Sequence, residues 1–104
     1  MKYNSVLDLH THTIVSGHAY STLREMAKAA SDKGLGLLGI TEHAPKMPGT
    51  CHLFYFDNLR IVPRELYGIE LVLGSEVNIL DAKGTVDLPQ KTMDCLLYTS
   101  PSPR

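Results

Sequence analysis

Cysteine is scarce in this chain: Cys51 and Cys95 are the only two. That excludes a disulfide framework, and free thiols fit a reducing compartment. No charge of one sign dominates either. With a formal net charge of −1 at pH 7, there is no basic stripe to recruit nucleic acid or an anionic membrane surface. Long apolar runs are missing, since nothing approaches the roughly 20 residues needed to span a bilayer. The opening Met-Lys-Tyr-Asn-Ser lacks the apolar stretch of a secretory signal, so a cytoplasmic location is the expectation. Internal repeats and linkers are absent too. What is present is ordinary: 104 residues, 43% hydrophobic and 20% charged, enough for one domain with one modest core.

Strand and helix signals alternate. Ser5 to Leu9 (SVLDL) reads as a short strand that delivers His10 at its carboxyl end. Ser21 to Lys33 reads as a helix: Thr22 and Glu25 have capping-box spacing, and Leu23, Met26, Ala27 and Ala30 share one face. Gly34 sits where a left-handed cap is usual. Leu35 to Thr41 (LGLLGIT) is nearly all apolar, as a strand buried on both faces should be. Strand, helix, strand predicts a βαβ unit in a parallel sheet, hence an α/β fold. After a loop with Pro45, Pro48 and Gly49, Asp57 to Tyr67 is expected to be helical in part, with Pro63 breaking it. Glu70 to Leu80 reads as a further strand, and a turn at Asp81–Gly84 leads to a short Thr85–Leu88 strand. Residues 95–104 fit nothing before them. CLLYTSPSPR resembles the translation of a transposase adapter used in sequencing libraries, which implies a non-native tail; the alternative is a disordered Ser/Pro terminus.

Three of the five histidines fall within DLHTHTIVSGH, residues 8–18. His10 and His12 lie two apart, so in an extended segment both point the same way. Two neutral imidazoles converging at a strand end can share one metal. His18 follows in a loop able to curl back over them. His43 ends the second strand in ITEH, and Glu76 lies in the third within GSEVN. Parallel α/β folds gather the carboxyl ends of their strands at one edge, where ligands bind. Each residue alone has a plainer reading, as a surface, capping or core group; together they predict a metal centre of His10, His12, His18, His43 and Glu76.

DLHTHT, SGHAYST, ITEHAP and GSEVNI together resemble the PHP superfamily (polymerase and histidinol phosphatase), and most of all its YcdX-like phosphatases. The likeness runs from about Val6 to Asp94, so residues 1–94 are read as a partial PHP domain. It implies a distorted (β/α)7, TIM-like barrel, incomplete here, with a trinuclear site, usually of zinc, at the carboxyl edge of the strands. It also implies that Glu76 bridges two metals. The family's further ligands come from later strands, and no histidine follows Glu76 in this chain. The 104 residues are therefore expected to be an N-terminal fragment that is neither stable nor active alone, because an open half-barrel exposes strand edges.

For a complete protein, the resemblance implies hydrolysis of a small phosphomonoester assisted by Zn²⁺, with Mn²⁺ or Fe²⁺ able to accept the same ligands. A metal-activated water, rather than a protein nucleophile, carries the attack. Asp8 is a candidate to orient a ligand histidine, or else makes a strand-edge hydrogen bond. Arg60 and Arg64 are candidate phosphate clamps or else solvated helix charges. His52 is a candidate substrate contact, and Cys51 an inert thiol. Histidinol-phosphate phosphatase is the second enzymatic reading. The PHP module of a bacterial replicative polymerase, structural or proofreading, is the reading from another class, and an inert or metal-buffering product is a third.

Overall fold

The computed structural model describes residues 6–94 and 96 and the backbone of 98–103. In chain order the elements are β1 (Leu7–Thr11), α1 (Leu23–Asp32), β2 (Leu37–His43), α2 (Phe54–Asp57), β3 (Glu65–Leu66), β4 (Ile69–Ile79), α3 (Gln90–Asp94) and β5 (Tyr98–Pro103). Two 3-10 turns intervene, at Ile14–Ser16 and Asn58–Ile61.

Capping chemistry sets the first helix. Glu25 N–H donates to Thr22 Oγ1 at 3.2 Å, and Thr22 N–H donates to Glu25 Oε1 at 2.9 Å. The reciprocal pair satisfies two amides that have no partner inside the helix. α1 ends just before Gly34, whose φ of 82° reverses the chain. Its inner face buries Ala27 and Ala30 against β2 and β4. The expected helix and its cap are both present.

β1 pairs parallel with β2, and β2 parallel with β4. The sheet order is β1-β2-β4-β3, with β5 also lying on β4. The outcome is an α/β fold with a curled sheet, compatible with part of a PHP barrel. β2 is buried from Leu38 to Glu42, as its apolar run requires. Leu38 and Ile40 of β2, Leu71, Leu73 and Val77 of β4, and Phe56 and Leu59 make most of the core.

Several boundaries differ from expectation. The second helix starts early, at Phe54, and its 3-10 extension stops at Ile61. Val62 is already extended (ψ 132°) because Pro63 disfavours helical backbone in the residue before it. The expected Thr85–Leu88 strand shrinks to a single bridge between Val86 and Ile79. Asp87 explains this: its carboxylate takes the Asn78 backbone N–H (2.7 Å), the Asn78 amide (2.6 Å) and the Lys46 N–H (2.8 Å). A side chain has replaced the ladder. α3 had no recognised signal. In the tail, the backbone of Tyr98–Pro103 runs parallel to β4 as β5, and its two prolines suit an edge strand. Cys95 and Ser5 lie outside the described residues. Among the described residues no helix is long and apolar enough to cross a membrane.

Candidate metal centre

β2 and β4 pair with His43 opposite Glu76, and neighbours in register share a face of the sheet. The two side chains accordingly meet, with His43 Nδ1 3.8 Å from Glu76 Oε2. β1 delivers the H-x-H pair by a less regular route. Asp8 lies opposite Leu38 and Thr11 opposite Ile40, so Leu9 and His10 together face Gly39. That is a β-bulge, a device that re-aims side chains. Gly39 permits the bulge, since a Cβ there would lie 2.6 Å from the Leu9 carbonyl oxygen. Asp8 Oδ1 accepts the His10 backbone N–H at 3.1 Å, so its carboxylate bonds to the strand backbone rather than to a ring.

Beyond the bulge both rings reach one oxygen. His10 Nε2 is 2.8 Å and His12 Nε2 3.1 Å from Glu76 Oε1. The His12 ring stacks on His43 at 4.3 Å between centroids, and His18 meets His43 edge-on at 5.3 Å. His18 Nδ1 lies 2.9 Å from the Ser16 carbonyl oxygen. A carbonyl only accepts, so the proton sits on Nδ1 and Nε2 keeps its lone pair. All five expected ligands therefore gather at one edge of the sheet. The centre is open on one side: His10 is 43% exposed and Glu76 only 14%.

Charge here is mutually adjusted. Burial pushes the Glu76 carboxyl up, but the His10 hydrogen bond and the nearby His43, His10 and His12 outweigh it and hold it below the ordinary range. Burial lowers His43 first, and His12, His18 and His10 add to that while Glu76 opposes it. His43 is held toward the neutral form that ligates metals.

Two observations fit a cation in this centre. Donor atoms of His10, His12 and Glu76 cluster within 4.8 Å of one another, and the 2.8 and 3.1 Å from the two imidazole nitrogens to Glu76 Oε1 are separations that bonds near ~2.1 Å to one ion can accommodate. His43 Nδ1 is buried and has no hydrogen-bond partner among the described residues, an atom that costs stability unless something ligates it.

Ser16, Thr13 and Glu42 were not singled out in the sequence. All three are buried. Glu42 accepts from Thr13 N–H (2.8 Å), from Thr13 Oγ1, and from Ser16 Oγ (2.8 Å), with the Tyr55 hydroxyl at 3.5 Å. Burial and then Glu42 push the Tyr55 phenol upward, so it keeps its donor proton. The clue was a lone carboxylate inside an apolar strand, which is almost never buried unless paired. Gly17 completes the loop: its φ of 75° and a 2.0 Å gap between a would-be Cβ and the Gly49 carbonyl oxygen admit no side chain.

The substrate candidates stand apart. Arg60 is exposed and Arg64 half-buried, and Arg64 Nη1 has no hydrogen-bond partner among the described residues. His52 is exposed and takes the Phe54 N–H on Nδ1 at 3.0 Å. Among the described residues no hydrogen bond or ion pair links these three to the histidine cluster. Cys51 is free, and burial pushes its thiol up, away from the reactive thiolate.

The family model of the PHP domain matches residues 8–99. The chain is 51% identical over 106 residues to a probable phosphatase of Clostridium novyi, covering 99% of this chain and 43% of that protein. Against a probable phosphatase of Thermoanaerobacter the identity is 56% over 85 residues, covering 82% and 35%. Against one of Aliivibrio fischeri it is 54% over 89 residues, covering 86% and 36%. The chain thus spans less than half the length of these curated relatives.

Proposed function

The chain belongs to the PHP domain family, and we propose that the protein carrying it is a metal-dependent phosphomonoesterase to which these residues contribute part of the metal centre. The observation that carries this reading is the convergence of His10 Nε2, His12 Nε2 and Glu76 Oε1. The probable-phosphatase names of the relatives support the reaction class.

In this reading His10, His12, His43 and Glu76 would hold the metal, with His18 beside them. Imidazole and carboxylate donors suit zinc, and manganese or iron less selectively. A complete, trinuclear site needs donors beyond these five, which the rest of a longer chain would supply. A bound divalent cation supplies an acidified water near neutral pH and offsets charge on the phosphoryl oxygens. The chain's own groups hold and orient. Glu76, kept below the ordinary carboxyl range, stays a carboxylate at neutral pH, a charged oxygen donor suited to a divalent cation. His43, kept toward neutrality, presents a lone pair. Because His52 takes the Phe54 N–H on Nδ1, its proton sits on Nε2, where it can donate to a phosphate oxygen. Arg60 and Arg64 are the guanidinium candidates for the same anion. The substrate is a small phosphorylated molecule, and the compartment a reducing one that suits free Cys51.

The test uses the full-length protein. It should release phosphate from an aryl phosphate, lose that activity on chelation, and recover it with zinc or manganese. The double variant His10→Ala/His12→Ala should lose nearly all turnover. Undiminished turnover in that variant would overturn the proposal.

A further inference from the structure

The proton arrangement around Ser16 has a consequence for the metal site. A serine hydroxyl has one proton to donate and two lone pairs to accept with. Ser16 Oγ has three partners: Glu42 Oε1 at 2.8 Å, His43 backbone N–H at 2.8 Å, and His12 Nδ1 at 3.2 Å. The Glu42 carboxylate can only accept, so it takes the serine proton. The His43 amide can only donate, so it fills one lone pair. One lone pair remains for His12, which must therefore donate from Nδ1. The proton of His12 is thus placed on Nδ1, which leaves its Nε2 lone pair on the side of Glu76 Oε1, 3.1 Å away, two electron-rich atoms whose repulsion a cation between them would relieve.

We propose that Ser16 and Glu42 are positioning residues that set the tautomer of His12 and so prepare its Nε2 to ligate a metal. The idea rests on the metal-site reading above and adds to it the residues that prepare a ligand before the ion arrives. Neither residue touches the ion or the substrate. Glu42 does its part from β2, on the strand position before His43, with Thr13 N–H and Thr13 Oγ1 holding its carboxylate in place. One loop, residues 12–18, is thereby anchored to one buried carboxylate while it presents both His12 and His18. A neutral imidazole ligates through the nitrogen opposite the one whose hydrogen bond is fixed, and such outer partners typically contribute about 10–100-fold in metal affinity.

The measurement is the tautomer itself. In ¹⁵N-labelled full-length protein stripped of metal, at a pH above the usual imidazole range, two-bond ¹H–¹⁵N correlations should show His12 protonated on Nδ1. Ser16→Ala should abolish that preference and weaken Zn²⁺ affinity about 10–100-fold, read by competition with a chromophoric chelator. Glu42→Gln serves as the conservative rescue: its carbonyl oxygen can still take the Ser16 proton while its amide donates to Thr13 Oγ1. It should keep the wild-type tautomer and affinity. A wild-type His12 protonated on Nε2 would overturn the proposal whatever the variants do. Wild-type zinc affinity in Ser16→Ala would overturn it while leaving the metal centre standing. If the unsubstituted protein binds no zinc but His12 carries its proton on Nδ1, the relay stands and the metal reading fails.

Discussion

Glu76 and His43 make acid sensitivity a property of two side chains. Both have folded-state pKa values below their ordinary 4.5 and 6.5. For Glu76 the sign is the usual carboxylate one: its contribution to stability is present above 4.5 and is lost as pH falls through the lowered folded value. For His43 the unfolded chain takes up the proton first, so folding loses ground as pH drops below 6.5. The two effects add. The metal-free protein should hold a constant Tm above about pH 7 and lose it progressively below, first through His43 and then through Glu76. Replacing His43 with Gln should remove the upper part of that decline. A Tm that rises on acidification, read by calorimetry, would contradict the assignment. With zinc bound the decline should steepen, because protons compete directly for the ligands.

At the scale of elements, two glycines show how backbone shape serves the centre. The bulge at Leu9–His10 exists because Gly39 leaves room for the Leu9 backbone, whose carbonyl oxygen and Cα would lie 2.6 and 2.8 Å from a Cβ. Gly39→Ala should therefore push β1 outward, at a cost of about 1–3 kcal/mol, and carry His10 away from Glu76. Gly34 is the control. Its φ is 82° but nothing lies within 4 Å of a would-be Cβ, so Gly34→Ala should cost about 1 kcal/mol of backbone strain and leave zinc affinity unchanged. Equal zinc affinity in the two variants, measured by calorimetric titration, would show that the bulge does not aim His10. The H-x-H spacing was legible in the sequence, but the bulge was not, because it depends on which β2 residue stands opposite. Likewise α1 was readable from its own capping box. The Thr85–Leu88 strand was misjudged, since the Asp87 carboxylate that displaces it bonds to Asn78 and Lys46, the latter 41 residues away.

At the scale of the molecule, β1 forms an edge of the sheet among the described residues. Leu7 and Leu9 remain 46% and 40% exposed there, and Val6 64%. Unpaired strand edges with apolar side chains template association. The 104-residue chain made alone should accordingly self-associate with rising concentration, and Leu7→Lys with Leu9→Lys should suppress this in sedimentation experiments. A monomer at all concentrations for the unsubstituted chain would refute that expectation. The full-length relatives have more than half their length beyond the part matched here, a quantity of chain ample to cover such an edge.

The β1-α1-β2-β4 order, the capping of α1 and the choice of the five metal-binding candidates were legible in the amino-acid sequence, because each rests on local spacing and on the donor chemistry of single residues. Tertiary structure alone decided that His10 arrives through a bulge, that both Glu76 oxygens face imidazoles, and that Glu42 anchors Ser16 and Thr13. Those features join residues 26 to 66 positions apart, and no pattern within one segment can encode a partner that only folding brings near.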